Sequence, residues 1–250
     1  MSHQKIDISP SGVQQEQHFW WWHLQFPLAL LLLLSLVIEV FALDRHLAQW
    51  LYQWEGGRWS LRNAWLTNAF LHSGGKHLSL AAALLCLGGF VASFFNARLV
   101  AYKRPLGYLV LCAVSASLLV SVVKQNLAVS CPWEFDLFGG KLAYVSVWQQ
   151  LWLRTGEGCF PAAHASAGYA WVCAYFAARS LGVSWAKWLL VGALALGFLF
   201  GFGQQLRGAH FISHDLWTLA ICWFTALVGY RFLLMPKASR AIFSEGVEQV

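Results

Sequence analysis

An all-α fold of six membrane-spanning helices is what this sequence predicts, and three observations predict it. Charged residues make up only 11% of its 250 positions, less than half of the ~25% ordinary in soluble domains. Apolar runs of membrane length recur, joined by short loops that carry the basic residues. Fifteen tryptophans suit a chain whose indole rings gather at membrane interfaces. The net charge of +6 sits in those loops, where it sets topology and pairs with lipid headgroups, so it does not signal nucleic acid.

Residues 1–18 are polar, mixed in sign and without apolar period, and read as a disordered cytoplasmic tail. The membrane domain covers 19–235 and opens on an aromatic belt, Phe19 to His23. The first span is 26–43. A cleaved signal peptide is the rival reading, but the run is long and no small-residue cleavage site follows it. The sequence over 44–77 is amphipathic and rich in tryptophan, broken at Gly56-Gly57 and Gly74-Gly75, which predicts short helices on the non-cytoplasmic membrane surface. The remaining spans are 78–95, 106–123, 164–178, 188–202 and 216–234. Residues 236–250 form a second cytoplasmic tail.

Six spans place both termini on one side. That side carries Arg98, Lys103, Arg104, Arg179, Lys187 and Arg231 in or beside its short loops, and the positive-inside rule makes it the cytoplasm. Three polar clusters then fall on the opposite face: Lys124 at the end of span three, His164 at the start of span four, and Arg207 to Asp215 between spans five and six. Titratable groups held between membrane-length segments are costly, so they are functional candidates.

Together the clusters fit phosphoryl chemistry. Lys124 and Arg207 supply cations for phosphate oxygens. One histidine can attack phosphorus, another can protonate the leaving group, and Asp215 can hold an imidazole in one tautomer. A metal site is the competing chemistry, because His164, His210, His214 and Asp215 are good zinc or iron ligands. Lys124 and Arg207 would repel a dication, which ranks metal second and leaves no cofactor expected. A lone lysine at a helix end is otherwise an anchor. A transporter is a rival from another class, but the charges gather at one face and no repeat is visible.

These residues resemble the type-2 phosphatidic acid phosphatase superfamily, over roughly 26–235. Its motifs are a lysine six residues ahead of Arg-Pro, a Pro-Ser-Gly-His, and a Ser-Arg followed by Gly-x-His and an aspartate four residues on. Here they read as Lys124 with Cys131-Pro132, as Pro161-Ala162-Ala163-His164, and as Arg207-Gly208-Ala209-His210 with Asp215. Each departs from the family pattern. Cys131 replaces an arginine, Ala162-Ala163 replaces Ser-Gly, and Gln204 stands at the arginine position of the third motif. Arg207 lies one helical turn later, and Asp215 lies one residue too far from His210.

The resemblance implies a membrane phosphatase acting on a lipid phosphate or pyrophosphate at the outer leaflet, within a bacterial inner membrane, its site facing the periplasm or exterior. His210 would be the nucleophile forming a phosphohistidine, His164 the acid, Lys124 a phosphate ligand and Asp215 the group orienting His210. Arg207 would substitute for the missing arginine. His214, without a family counterpart, is the alternative nucleophile. A lipid phosphotransferase and a non-catalytic lipid-phosphate-binding protein are the alternatives in function. Cys131 and Cys159 each lie within two residues of a motif proline on the oxidising side, so a disulfide between them would tie the first motif to the second and compensate for the arginine lost at 131.

Overall fold

The computed structural model describes residues 10–154, 156 and 158–235, and among them all regular structure is helical apart from one isolated bridge between Phe135 and Leu142. Helix α1 runs over 10–40. Pro27 lies inside it, where a proline removes one N–H and crowds the carbonyl four residues back. The helix widens into a π turn over Trp21–Gln25, and the His23 carbonyl that Pro27 leaves free accepts the Trp223 indole N–H at 2.8 Å. The proline thus creates the acceptor that pins α1 to the last helix.

A turn through Ala42, in the left-handed region at φ 48°, leads into α2, Leu43–Trp54. Asp44, Ala48 and Leu51 are its buried residues, spaced as one helical face, while Trp50 and Trp54 are exposed. Helices α3 (Leu66–Ala92) and α4 (Ala97–Asn126) follow. After a long loop comes α5, Val147–Leu153, whose first turn is capped by reciprocal bonds between Ser146 and Gln149. Helical run α6 covers 166–180, and α7 (Ala186–Gln205) and α8 (Ile212–Leu234) complete the chain.

Five of these, α1, α3, α4, α7 and α8, are long and apolar enough to cross a membrane. The segment expected as the fourth span is α6. Its fifteen residues extend about 22 Å at the α-helical rise, short of the ~30 Å hydrocarbon core. Protein surrounds it: Tyr169, Ala170, Val172, Cys173, Phe176 and Ala177 are all buried. Gly168 lets it approach α7 closely, because a Cβ there would collide with the backbone of Gly197.

Two other expectations change. The tail expected to be disordered over 1–18 is helical from Pro10, since its polar residues continue the first helix outward; residues 1–9 and the expected tail 236–250 lie outside the described residues. The surface segment expected over 44–77 divides. Residues 43–54 form a separate amphipathic helix, but 66–77 belong to the membrane-length helix α3. Thr67, Leu71 and Gly75 are buried there at four-residue spacing, which marks one face of the helix.

The buried residues form two cores. One lies within the bundle, around Tyr108, Val120, Val172, Cys173, Phe176 and Leu227; the Tyr108 hydroxyl bonds the Ala226 carbonyl at 2.8 Å and locks α4 to α8. The other lies beyond one end of it, where Ala48, Val129, Phe135, Phe138, Phe160 and Phe211 pack as a cap. The three motif regions meet between the two.

Candidate active site

Three sets of bonds stitch the motif regions together. Cys131 and Cys159 form a disulfide, and the Cys159 N–H donates to the Val129 carbonyl at 2.7 Å. The loop after Lys124 is thereby joined to the segment before His164. The Ala162 N–H donates to the His214 carbonyl at 3.3 Å, and the Thr218 hydroxyl donates to the carbonyls of Ala162 at 3.2 Å and His214 at 2.8 Å. These tie the second motif to α8. Last, the Trp133 N–H donates to the Gly208 carbonyl at 3.1 Å. Gly208 has φ +66°, and a side chain on it would strike the Trp59 indole, so the turn between Arg207 and His210 requires glycine twice over.

His210 is buried, and its Nδ1 lies 3.3 Å from Nδ1 of His214. One ring nitrogen must donate and the other accept, so the two rings hold each other in defined tautomers. Burial, together with the nearby His214, Lys124 and His164, holds the His210 pKa well below the ordinary 6.5. His214 itself is fully enclosed, its ring edge-on to Phe160 and Phe211 at 5.2 and 5.4 Å.

Asp215 is placed elsewhere. Its carboxylate accepts a hydrogen bond from Gln205 and packs against Gly201 of α7. The expected Asp215–His210 contact is not among the bonds of the described residues. The cause is register. His214 stands four residues after His210, the spacing of the family's aspartate, and Asp215 one residue on points to α7 instead. The residue touching His210 is therefore a histidine.

Arg207 is held by three acceptors. Its Nε donates to the Arg62 carbonyl at 2.8 Å, and its Nη1 to Gln204 Oε1 at 3.0 Å and to Nδ1 of His72 at 2.9 Å. Gln204 Nε2 also donates to that His72 nitrogen at 3.2 Å. Since a guanidinium can only donate, His72 Nδ1 must be the acceptor and its proton resides on Nε2. The His72 ring in turn stacks on His164, centroids 3.8 Å apart. Burial and the bases His72, Lys124, Arg207 and Lys76 push the His164 pKa down to about 3. Its Nδ1 is sealed from solvent without a partner. Burial, then Arg62, also lowers the Arg207 pKa.

The structure thus gathers Lys124, His164, Gln204, Arg207, His210 and His214, sets Asp215 behind them, and adds His72. His72 escaped sequence reasoning because 44–77 read as lying outside the bundle; the stripe of Thr67, Leu71 and Gly75 was the available signal. Glu134, a weaker candidate for a headgroup amine or for shaping its loop, accepts the Cys131 N–H at 2.7 Å. Among the described residues no three of His, Cys, Asp and Glu converge as metal ligands.

A family model described as PAP2 superfamily matches residues 105–237, the stretch that carries Lys124, His164 and everything from Arg207 to Asp215. No curated protein and no solved structure matches the chain.

Proposed function

The chain belongs to the PAP2 superfamily, and from that premise we propose that it removes phosphate from a membrane lipid phosphate or pyrophosphate through a phosphohistidine on His210. Family membership supports a phosphatase-type function; the substrate and the steps are our reading. The observation that carries it is the charge around His164, where each acting group, His72, Lys124, Arg207 and Lys76, is basic. Among the described residues none of the groups acting on His164 is an acid, and a phosphate group would supply the missing anion.

In the proposed reaction His210 attacks phosphorus through Nε2, its Nδ1 held by His214. The bond from phosphorus to the lipid oxygen breaks, and His164 delivers a proton to that oxygen. His164 is too basic-surrounded to hold this proton alone, so the bound phosphate anion is what raises its proton affinity. Water then attacks the phosphohistidine, giving its proton to His164 and releasing inorganic phosphate. Lys124 binds phosphate oxygens as the family's lysine does, and Arg207 takes the place of the arginine that is Gln204 here. His72 and Gln204 fix the direction of Arg207.

The site lies where the helices of membrane length end, which suits an amphiphilic substrate entering from the membrane plane. We further propose that α6 is the fourth of six passes, shortened because its surroundings are protein, and that the site faces away from the cytoplasm. The test is phosphate release by purified protein from a panel of lipid phosphates with chelator present. Release that survives chelator and disappears in His210→Ala is expected. Release that needs added metal, or that persists in His210→Ala, overturns the reading.

A further inference from the structure

Phe160, whose ring meets His214 at 5.2 Å, also lines a cavity of about 550 Å³ walled by α1, α2, α4, α5 and α8. Its wall is mostly apolar, with Leu127, Val147, Trp148 and Trp217 among its residues, but it also carries Ser35, Glu39 and Asp44. Ser35, Ile38 and Glu39 line it from one face of α1, at the i, i+3, i+4 spacing of a helix.

The two acids have neutral partners only. Glu39 accepts from the Ser146 hydroxyl at 2.6 Å, and Asp44 from the Ser213 N–H and hydroxyl at 3.0 and 2.6 Å. Among the described residues neither is paired with a cation. The Ser35 hydroxyl, on a residue only 7% exposed, has no hydrogen-bond partner. A buried polar group without a partner carries a desolvation cost, and so do paired acids without a counter-charge. Such costs mark a place completed by something else. An ammonium group has three N–H bonds and one positive charge, matching two carboxylates and a hydroxyl. Trp148 and Trp217 also line it, and an indole ring attracts a cation to its face. A phosphate would be repelled here, so this cavity and the basic cluster select opposite charges.

We propose that this cavity is a second lipid site, which takes a membrane amphiphile with a primary ammonium head. The apolar wall receives the start of its chain, and Ser35, Glu39 and Asp44 receive the nitrogen. The occupant comes from the bilayer rather than from solution, because the cavity is bordered by the ends of three membrane-length helices and is largely apolar. The proposal does not depend on phosphatase activity, and its test reads binding alone.

The probe is sphingosine, which carries an ammonium and no phosphate, in phosphatidylcholine nanodiscs with the full-length protein. N-acetylsphingosine is the neutral control and free ethanolamine the chainless one. Sphingosine is expected to bind at least about tenfold more tightly than N-acetylsphingosine, the size of a charge-assisted hydrogen bond. Glu39→Gln, which retains an acceptor for Ser146, is expected to abolish that preference, and Ser35→Ala to reduce it several-fold. Lys124→Met should leave it unchanged. Equal binding of sphingosine and N-acetylsphingosine would show an apolar cavity only and overturn the proposal. A preference that survives both Glu39→Gln and Ser35→Ala would overturn it too, as would ethanolamine competing as well as sphingosine. Should Glu39→Gln fail to fold, Ser35→Ala decides by the same readout.

Discussion

Replacing His214 with phenylalanine isolates the contact on which the proposed nucleophile depends. A phenyl ring keeps an aromatic side chain against Phe160 and Phe211 and removes both nitrogens, at the cost of a larger ring in a fully enclosed place. His210, 4% exposed, then loses the partner of its Nδ1. A buried donor left unsatisfied costs about 1–3 kcal/mol. Attack through Nε2 leaves the His210 ring positively charged, so its Nδ1 bond strengthens toward the transition state; a barrier raised by that amount lowers kcat/KM roughly 5- to 150-fold. Stability should fall by about 1–3 kcal/mol, because His210 Nδ1 loses its partner and a larger ring enters a fully enclosed place, offset in part by removal of the His214 Nε2 that is buried without a partner. The assay pairs phosphate release in detergent micelles with thermal unfolding of the same preparation. Wild-type turnover in a folded His214→Phe protein would refute the claim that His214 orients His210. Complete loss with an intact fold would make His214 itself the nucleophile.

Four further outcomes follow from the geometry. His214→Asp puts an anion beside His210 and should raise the His210 pKa. In the native protein burial and basic neighbours keep that ring neutral far below pH 6.5, so the variant should show a new loss of rate as pH falls that the native profile lacks. His72→Ala frees Arg207 from one acceptor and uncovers His164. It is expected to cost kcat/KM about 10- to 150-fold, the worth of one charge-assisted bond, with little change in melting temperature. Mutating Cys131 and Cys159 to serine opens a loop of sequence separation 28, which should cost about 3–4 kcal/mol by loop entropy and be read as a lowered unfolding midpoint. Asp44, its pKa raised by burial to about 6 from 3.8, disfavours its charged form in the fold. Its contribution to stability is therefore best at low pH, declines as pH rises past about 4, and is fully lost above about 6, a change of about 3 kcal/mol. Asp44→Asn should flatten that slope in urea titrations.

Much of the fold was legible because membrane helices announce themselves by length and hydropathy. The region of α6 shows the limit. Residues 164–178 look like a span by composition, but a helix wrapped in protein need not match the bilayer, and only packing against α7 through Gly168 and Gly197 reveals its shorter extent. Residues 66–77 failed in the other direction. Gly74-Gly75 reads as a break between elements, yet Gly75 here makes room for the Phe200 ring within a continuous helix. In the site, Lys124, His164, Arg207 and His210 were readable as spaced motif residues. His72 was not, since its partners Arg207 and Gln204 lie more than 130 residues away. Asp215 was misread by one position, because a carboxylate is the expected partner of a nucleophilic imidazole and spacing alone does not reveal that a histidine has taken its place.

The central claim is that His210 carries the phosphoryl group, and mapping that group tests it most directly. Purified protein mixed with a radiolabelled lipid phosphate and quenched in alkali should yield an acid-labile phosphoprotein. Peptide mass spectrometry should place the label on His210, and His210→Ala should yield none. Steady release of phosphate with no labelled protein, or a label found on His164 or His214, would contradict the account.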